Sequence, residues 1–456
     1  MKTGLFLYDT KSRNLLEVES SNESAVRIYC CGPTVYRDAH VGNLRTFLLA
    51  DLTARTLNFL GHQTLLVQNI TDVGHMSEDF EEDKMLSQSQ LEKRDPFDVA
   101  RDYEDRFHTD LARLNILKAK RYPRASESIE MMQALITHLI EQGNAYVGDD
   151  RSVYFAAESF PSYGAISGNK LSELRPGHRY EYTEDGAKRF HADWALWKAA
   201  GKRTDMVWDS PWGSGFPGWH IECSAMSMHF LGETVDLHIG GIDLRFPHHE
   251  NERAQSNASI HNRELVSMWV HGEHLLFEGR KMSKSAGNVV LLHDLIAEGL
   301  DPLALRFALM ENKYRAQMDL TWDSLRAADK VIARWRSKVS EWSTATPSTP
   351  TDTSEINSIL AEDIDTPRLL NYLRTTEKSD LSDAQKREIF LTADRVLALE
   401  LDRAPVALQL SEAARALIDA RAAARAAKDF ALSDQLRDQL AQLGITIKDT
   451  PDGQSW

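Results

Sequence analysis

Cysteine is scarce. The 456 residues hold three, Cys30, Cys31 and Cys223, and so sparse and odd a count excludes a disulfide framework and suits a reducing compartment. Long apolar runs are missing as well: none approaches the roughly eighteen residues of a membrane span. The N-terminus has neither the apolar core nor the small-residue cleavage site of a signal peptide, so no membrane association is expected and the cytoplasm is the default. An excess of basic residues is also lacking. The net charge of -15 argues against non-specific nucleic-acid binding, which runs on neutralising phosphates, while leaving room for a local basic track. There is no internal repeat, and the loop between Cys31 and Asn43 has neither a GxGxxG nor a Walker pattern, so it is neither a dinucleotide fingerprint nor a P-loop. What is present is an ordinary globular balance, 42% hydrophobic and 27% charged. The length suffices for roughly two to four domains.

Val26 to Cys31 reads as a strand broken by Gly32-Pro33. His40-Val41-Gly42-Asn43 then opens a helix on which Phe47, Leu48, Leu52 and Leu60 recur near a helical period until Gly61, and Thr64 to Ile70 reads as a second strand. Strand, glycine-containing loop, helix and strand make a right-handed β-α-β unit, half of a nucleotide-binding sheet. Its loop offers an imidazole, a glycine open to a ligand and amides at a helix N-terminus, which suits phosphate; the bland alternative is a histidine in a polar turn.

Asp72 to Lys84 reads as an acidic loop, Asp95-Pro96 as the start of a helix to about Ile116, and Ser126 to Gln142 as another. Asn144 to Arg189, with Val153-Tyr154-Phe155 and Pro176-Gly177, reads as short strands and turns inserted into the sheet domain, without recognisable chemistry. Trp194, Trp197, Trp208, Trp212 and Trp219 crowd together as core or as an aromatic wall for a small substrate. A helix after Cys223 and the strands Val235 to Ile239 and Val266 to His271 follow; Gly240-Gly241, closing the first of these strands, would leave room for a base or ribose. Lys281-Met282-Ser283-Lys284-Ser285-Ala286-Gly287-Asn288 is a loop able to bring two ammonium groups to phosphates, or else a solvated basic turn. From Asp301 the chain turns helical, with Pro302 opening a segment, a break at Ser343 to Thr353, and bundle helices at Ile356 to Arg374 and Ala384 to Leu401, the former with Pro367 near a helix start. After a break at Ala404-Pro405, Ser411 to Leu443 reads as one helix stopped by Gly444, then a short strand Ile445 to Ile447. Arg415, Arg421, Arg425 and Lys428 are interleaved with acids and read as a solvated face rather than as the alternative, a phosphate track.

Phe216 to Glu252 gathers ligand types that zinc accepts: the Cys223 thiolate, the His248 and His249 imidazoles and the Glu252 carboxylate. His248 and Glu252 stand four apart, so on a helix they share a face. On a strand Cys30 and Cys31 point to opposite sides, so at most one of them can join Cys223. The competing reading is a core thiol beside a polar surface helix.

Cys31-Gly32, His40-Val41-Gly42-Asn43, Gly218-Trp219-His220-Ile221-Glu222-Cys223, His248-His249-Glu250-Asn251-Glu252 and Lys281-Met282-Ser283-Lys284-Ser285 stand in one order along the chain. In that order they resemble the class I cysteinyl-tRNA synthetase family, from the N-terminus to the last residues. The HxGN and KMSKS segments resemble the two ATP-binding signatures of class I synthetases in general; the zinc constellation and the run from Trp219 to Ser224 narrow the resemblance to the cysteine enzyme.

The resemblance implies an α/β chain: a Rossmann-like nucleotide-binding catalytic domain with an insertion, then an all-α helical bundle and a small C-terminal domain. The expected division is residues 1–125 for the first catalytic half, 126–190 for the connective insertion, 191–260 for the second half with the zinc site, and 261–320 for the KMSKS loop and stem-contact region. Residues 321–410 would form a tRNA-binding helical bundle and 411–456 the anticodon-binding region. One zinc per chain would sit on Cys31, Cys223, His248 and Glu252. L-Cysteine would meet Gly32, Thr71 and Trp219. ATP, with Mg²⁺, would meet His40, Gly42, Asn43, Gly240, Gly241 and Lys284, and His40, Asn43, Lys281 and Lys284 would serve catalysis.

The implied activity is ATP-dependent ligation of L-cysteine to tRNA(Cys) through a cysteinyl-adenylate, by a monomer, with zinc selecting the thiolate. Two departures stand out. The family's first signature often ends in His where this chain has Asn43, and Val73-Gly74-His75-Met76 follows Asp72 where further acids are expected. The rival readings are a cysteine ligase of the same scaffold with an amino-sugar acceptor, and a zinc-containing RNA-binding relative without catalysis.

Overall fold

Val26–Cys30 and Val235–Gly241 are strands buried almost throughout on both faces, as in a parallel sheet covered on both sides. The computed structural model describes the chain apart from residues 22–23, 75–82, 175–186, 283–286, 343, 345–348, 405–411, 443–444, 446, 451–452 and 456. Its central sheet has four parallel strands in the spatial order Val266–Gly272, Val235–Gly241, Val26–Cys30, Thr64–Gln68, with Cys30 paired to Gln68 on one side and Ile239 on the other. The helix Val41–Phe59 makes the crossover between the last two.

The pleat divides the core in two. Ile28, Cys30, Leu237, Ile239 and Val270 pack with Val41, Leu44, Leu48 and the later helices on one face. Tyr29, Cys31, Val67 and Trp269 pack with Ile221, Cys223, Met226, Ala254 and Ala258 on the other. Cys30 and Cys31 thus enter different cores, as alternation along a strand requires.

Asp95 caps the helix Pro96–Arg113 through bonds from the Phe97 and Asp98 amides, as expected. A helix Lys84–Glu92, capped by Asp83, was not anticipated, nor was the N-terminal hairpin of Lys2–Asp9 with Asn14–Glu19. The expected acidic loop up to Lys84 falls partly outside the described residues, as do Pro176-Gly177 of the insertion and Pro405. The inserted antiparallel sheet runs on past residue 190, in the order Ala145–Val147, Val153–Phe155, Trp194–Ala199, Gly215–Pro217. Its last strand delivers the chain directly to Gly218 and the helix Trp219–Leu231, so the insertion's edge sets where that helix begins.

The helices Leu303–Met310, Trp322–Glu341, Ser354–Ala361, Thr366–Glu377 and Asp383–Leu397 complete a unit spanning Met1–Arg403; Ala404–Trp456 is a second compact unit. In that second unit the single helix expected from Ser411 to Leu443 is two, Glu412–Ala426 and Phe430–Gln442. Lys428 adopts a left-handed φ of 61° and the Asp429 carboxylate accepts from the Leu432 amide, a break made without glycine or proline. Ile445 and Ile447 are small-core residues; the strands lie beyond them, Lys448–Thr450 paired with Gly453–Ser455. Gly444 and Thr446 lie outside the described residues. Arg421 departs from the solvated face expected of it: it is fully buried and donates to Asp449 and Gln454. No helix among the described residues is long and apolar enough to cross a membrane.

The helix Val41–Phe59 is fixed to the helical region by one buried ion pair. Arg306 Nη2 donates to Asp51 Oδ2 at 2.5 Å with both side chains fully buried. The remaining guanidinium donors reach the carbonyls of Leu114, Asn115, Val396 and Leu397. Asp51 also accepts from Arg55 and from the Leu117 amide. Every donor of Arg306 is thus spent within the fold. Removing one member of such a network strands its partners. Arg306→Met is expected to lower stability by about 3–5 kcal/mol in chemical denaturation; a loss below about 1 kcal/mol would mean that the pair holds nothing together.

Candidate metal centre and nucleotide site

Cys31 follows directly on the strand Val26–Cys30, its amide still bonded to the Ile239 carbonyl at 3.1 Å. Cys223 projects from the helix Trp219–Leu231, and His248 and Glu252 share one face of the helix His248–Ser259. One donor atom from each of these four residues lies within 4.8 Å of the others, and all four residues are buried. The Cys31 and Cys223 sulfurs are 3.9 Å apart, Cys31 Sγ is 3.5 Å from Glu252 Oε1, and His248 Nε2 is 2.9 Å from the same oxygen. Zinc bonds of about 2.0–2.3 Å set tetrahedral donors about 3.3–3.8 Å apart; the Cys31–Glu252 separation falls in that range, the sulfur pair lies just above it and the His248–Glu252 pair below it, and two sulfurs, one nitrogen and one oxygen are donor types that zinc accepts.

Electrostatics agree with the donor chemistry. Burial pushes the Cys31 thiol and the Glu252 carboxyl well above their ordinary values, while the bond from Cys31 holds the Cys223 thiol down. A divalent cation reverses the penalty on such acids by supplying the charge that solvent does not. His248 is oriented by its other nitrogen, Nδ1, which lies 2.8 Å from His220 Nδ1.

The helix His248–Ser259 is buried on every side although its residues are almost all polar. It survives because its polar groups are partnered within the fold. Glu250 accepts from the Ile166 and Ser167 amides and the Ser167 hydroxyl, and Asn251 from Tyr163. Arg253 donates to Ser162 and Glu264, and Asn257 bonds Glu264 and Leu265. The expectation of a metal-bearing helix and that of a polar surface helix part here: the helix is interior.

Next to the quartet runs a short polar chain. The Gly32 amide donates to Asn69 Oδ1, Asn69 Nδ2 to Thr71 Oγ1, and Thr71 Oγ1 to Glu222 Oε2, at 2.8, 3.1 and 3.1 Å. A side chain at Gly32 would overlap the Asn69 carbonyl, so glycine is dictated by the close approach of two strand ends. Trp219 heads its helix with its ring centroid 4.3 Å from that of His248. Of the tryptophan cluster, Trp194 and Trp197 are core while Trp219 borders the site. Val73, in the segment that departs from the family pattern, is a fully buried core residue; His75 and Met76 lie outside the described residues.

At the other end of the sheet's crossover, His40 caps the helix Val41–Phe59. Its Nδ1 accepts from the Asn43 amide and Asn43 Oδ1 accepts from the His40 amide, both at 3.2 Å. Burial, then Arg37, pulls the His40 pKa to about 4, so the ring is neutral near pH 7. With Nδ1 accepting, its proton sits on Nε2 as a donor. The Asn43 amide oxygen is engaged in the cap, which leaves its NH₂ group to donate.

The two signatures meet directly. A Cβ on Gly42 would approach Met282 Cε to 2.9 Å, and the Val41 amide donates to the Val290 carbonyl at 3.0 Å. Lys281 is exposed, its carbonyl accepting from Asn288 Nδ2. Lys284 and its neighbours Ser283, Ser285 and Ala286 lie outside the described residues. The room expected over Gly240 is taken by the His249 ring, and Gly241 faces Asp243. Sequence reasoning passed over His238, His271 and His220, since a lone histidine inside an apolar strand or helix has no spacing to mark it. It also found no chemistry in the insertion, whose sheet lines a cavity of about 590 Å³ with Tyr154, Lys188, Lys198, Lys202, Arg203 and Phe216.

The description "tRNA synthetases class I (C) catalytic domain" matches residues 17–330, and "Cysteinyl-tRNA ligase anticodon binding domain" matches residues 408–456. The chain is 40% identical over 481 residues to a cysteine–tRNA ligase of Thermus thermophilus, covering 99% of each. It is 41% identical over 465 residues to that of Opitutus terrae, covering 99% of this chain and 98% of the other. A methionyl-tRNA synthetase of Mycobacterium tuberculosis solved with methionyl-adenylate aligns with a TM-score of 0.55 at 14% identity, over 82% of this chain and 90% of that one, a likeness of fold. Family models over both ends and relatives matched along nearly the whole length leave one assignment: the chain belongs to the class I cysteinyl-tRNA synthetase family, with cysteine–tRNA ligase activity.

Proposed function

We propose that Cys31, Cys223, His248 and Glu252 hold zinc, and that this centre selects L-cysteine by its sulfur before ATP activates the carboxylate. The observation that carries the reading is the buried quartet of mixed sulfur, nitrogen and oxygen donors beside Thr71 and Trp219. When bound, the ion supplies a soft Lewis acid that favours a thiolate over the protonated hydroxyl of serine. Shape alone distinguishes groups so alike by only about 1–3 kcal/mol. Trp219 walls the side chain, and the Gly32, Asn69 and Thr71 chain offers polar groups to the amino-acid backbone.

The cysteine carboxylate then attacks the α-phosphorus of ATP and pyrophosphate leaves. His40 donates through Nε2 and Asn43 through its NH₂ group to the phosphates, with Gly42 keeping the backbone open. Lys281 and Lys284 spread the charge that develops there, and Mg²⁺ accompanies the nucleotide. Gly241 borders the strand end where adenosine would lie; Gly240 serves it indirectly, by seating His249. The terminal adenosine of tRNA(Cys) attacks the adenylate next, through the 2′-hydroxyl that class I resemblance implies. The helical bundle from residue 321 onward and the region 411–456 would carry the tRNA, a reading supported by the anticodon-binding match. That match also weighs against an amino-sugar acceptor, and the knit of the His40 and Lys281 segments weighs against a relative that has lost catalysis.

Changing an outer partner of a metal ligand costs about 10–100-fold, so loss of a donor should cost about 100-fold or more. Cys223→Ser is accordingly expected to lower both zinc affinity and cysteine-dependent ATP–pyrophosphate exchange by that factor; a variant with unchanged exchange would sink the selector role. Lys284→Ala should slow adenylate formation by about 100- to 1,000-fold while leaving cysteine binding within about threefold. Single-turnover kinetics check this, and equal losses in both would make Lys284 merely structural.

A further inference from the structure

Cys31 and Glu252 belong to a second buried quartet besides the one described, completed by His238 and His249 in place of Cys223 and His248. Cys31 Sγ lies 3.4 Å from His238 Nε2, 3.4 Å from His249 Nε2 and 3.5 Å from Glu252 Oε1. His238 Nε2 is 3.5 Å from Glu252 Oε2, and His249 Nε2 is 4.0 Å from Glu252 Oε1. The three distances from Cys31 Sγ fall at the separation of about 3.3–3.8 Å that a tetrahedral zinc ion sets between its donors, while the two imidazoles face different oxygens of the Glu252 carboxylate.

His249 is held through its other ring nitrogen as a ligand is, and His238, whose buried Nδ1 has no hydrogen-bond partner among the described residues, is held by stacking. His249 Nδ1 lies 2.8 Å from His271 Nε2, and His271 Nδ1 lies 2.8 Å from Thr10 Oγ1, a relay that fixes the ring with Nε2 toward Cys31. Gly240 makes the room this ring needs, since a Cβ there would come within 2.5 Å of His249 Cε1. His238 is stacked on Trp269 at 4.5 Å between centroids, which pins its plane. The His248 ring of the first quartet has its own outer partner, His220. His248 of the first quartet and His249 of the second therefore each have a hydrogen-bonded partner of their own behind the donor atom.

We infer that the chain carries a second, overlapping seat for a divalent cation, formed by Cys31, His238, His249 and Glu252 and sharing the Cys31–Glu252 edge with the first. One thiolate, two imidazoles and a carboxylate suit zinc or cobalt(II). The seat lies toward Trp269 and the ends of the strands Val235–Gly241 and Val266–Gly272, whereas Trp219 adjoins His248 of the first seat. An ion in the second seat thus sits on the side away from Trp219, and the shared edge lets it pass between the two without leaving the protein. The inference does not depend on the first seat selecting cysteine.

The test uses the full chain stripped of metal and titrated with cobalt(II). The Cys223→Ser/His248→Ala double variant should still bind about one equivalent, with a tetrahedral visible spectrum and a single-thiolate charge-transfer band. Adding His238→Ala and His249→Ala should abolish both signals. Equal cobalt uptake by the double and quadruple variants overturns the second seat. As a measurement free of folding effects, anomalous diffraction at the zinc edge from the unmodified chain in excess zinc should show density within bonding distance of His238 Nε2 and His249 Nε2. Density confined to the Cys223 and His248 side at every zinc concentration overturns it equally.

Discussion

Charged donors gathered in a dry interior are the constraint around which the catalytic half is built. Cys31, Cys223 and Glu252 are each buried to within a few per cent of completely, and burial alone drives Cys31 and Glu252 toward their neutral forms. A cation in their midst changes the sign of that cost, and the cation needs donors placed to within a fraction of an ångström. A strand end and two helices packed on one sheet face supply that rigidity. The price is a helix, His248–Ser259, whose polar residues must all be housed inside. The insertion supplies part of the housing, since Tyr163, Ile166 and Ser167 partner Asn251 and Glu250. A segment without catalytic residues of its own thus keeps the ligand helix folded.

The nucleotide half rests on a different device, the N-terminus of the helix Val41–Phe59. His40 and Asn43 satisfy each other's backbone amides, which fixes the tautomer of one and the free amide group of the other before any phosphate arrives. Met282 against Gly42 and Val290 against Val41 bring the second signature to the first through backbone and van der Waals contact rather than through charge.

Much of this was legible in the sequence because it obeys local rules. The β-α-β unit, the Asp95-Pro96 helix start and the opposite facing of Cys30 and Cys31 follow from period and capping alone. The site was legible because His248 and Glu252 share a helix face and because motif order carried a family resemblance. What escaped was decided by distant partners. Arg421 looked solvated because nothing nearby in sequence announces Asp449 and Gln454. The helix break at Lys428 uses a left-handed lysine and an aspartate cap in a run of helix formers. His238 stands in a strand with no ligand spacing to mark it, and only the register that sets it between Tyr29 and Trp269 shows where it points. Gly240 was assigned to a ligand for the same reason: its neighbour, His249, arrives from another element.

The helix capped by His40 also carries Asp51 about three turns further on, and through it this helix is tied to the helical region. Arg306 bonds Asp51 and at the same time the carbonyls of Val396 and Leu397, at the end of the helix Asp383–Leu397. Both charges are wholly buried, so neither side chain can turn to water when strained. A displacement of the later helices must then move the helix Val41–Phe59 or break a pair whose separation costs several kcal/mol, about the size of many proteins' whole margin of stability. The stiffer course is the cheaper one. The helix Val41–Phe59 and the end of the helix Asp383–Leu397 are thus tied through one buried guanidinium within the unit Met1–Arg403.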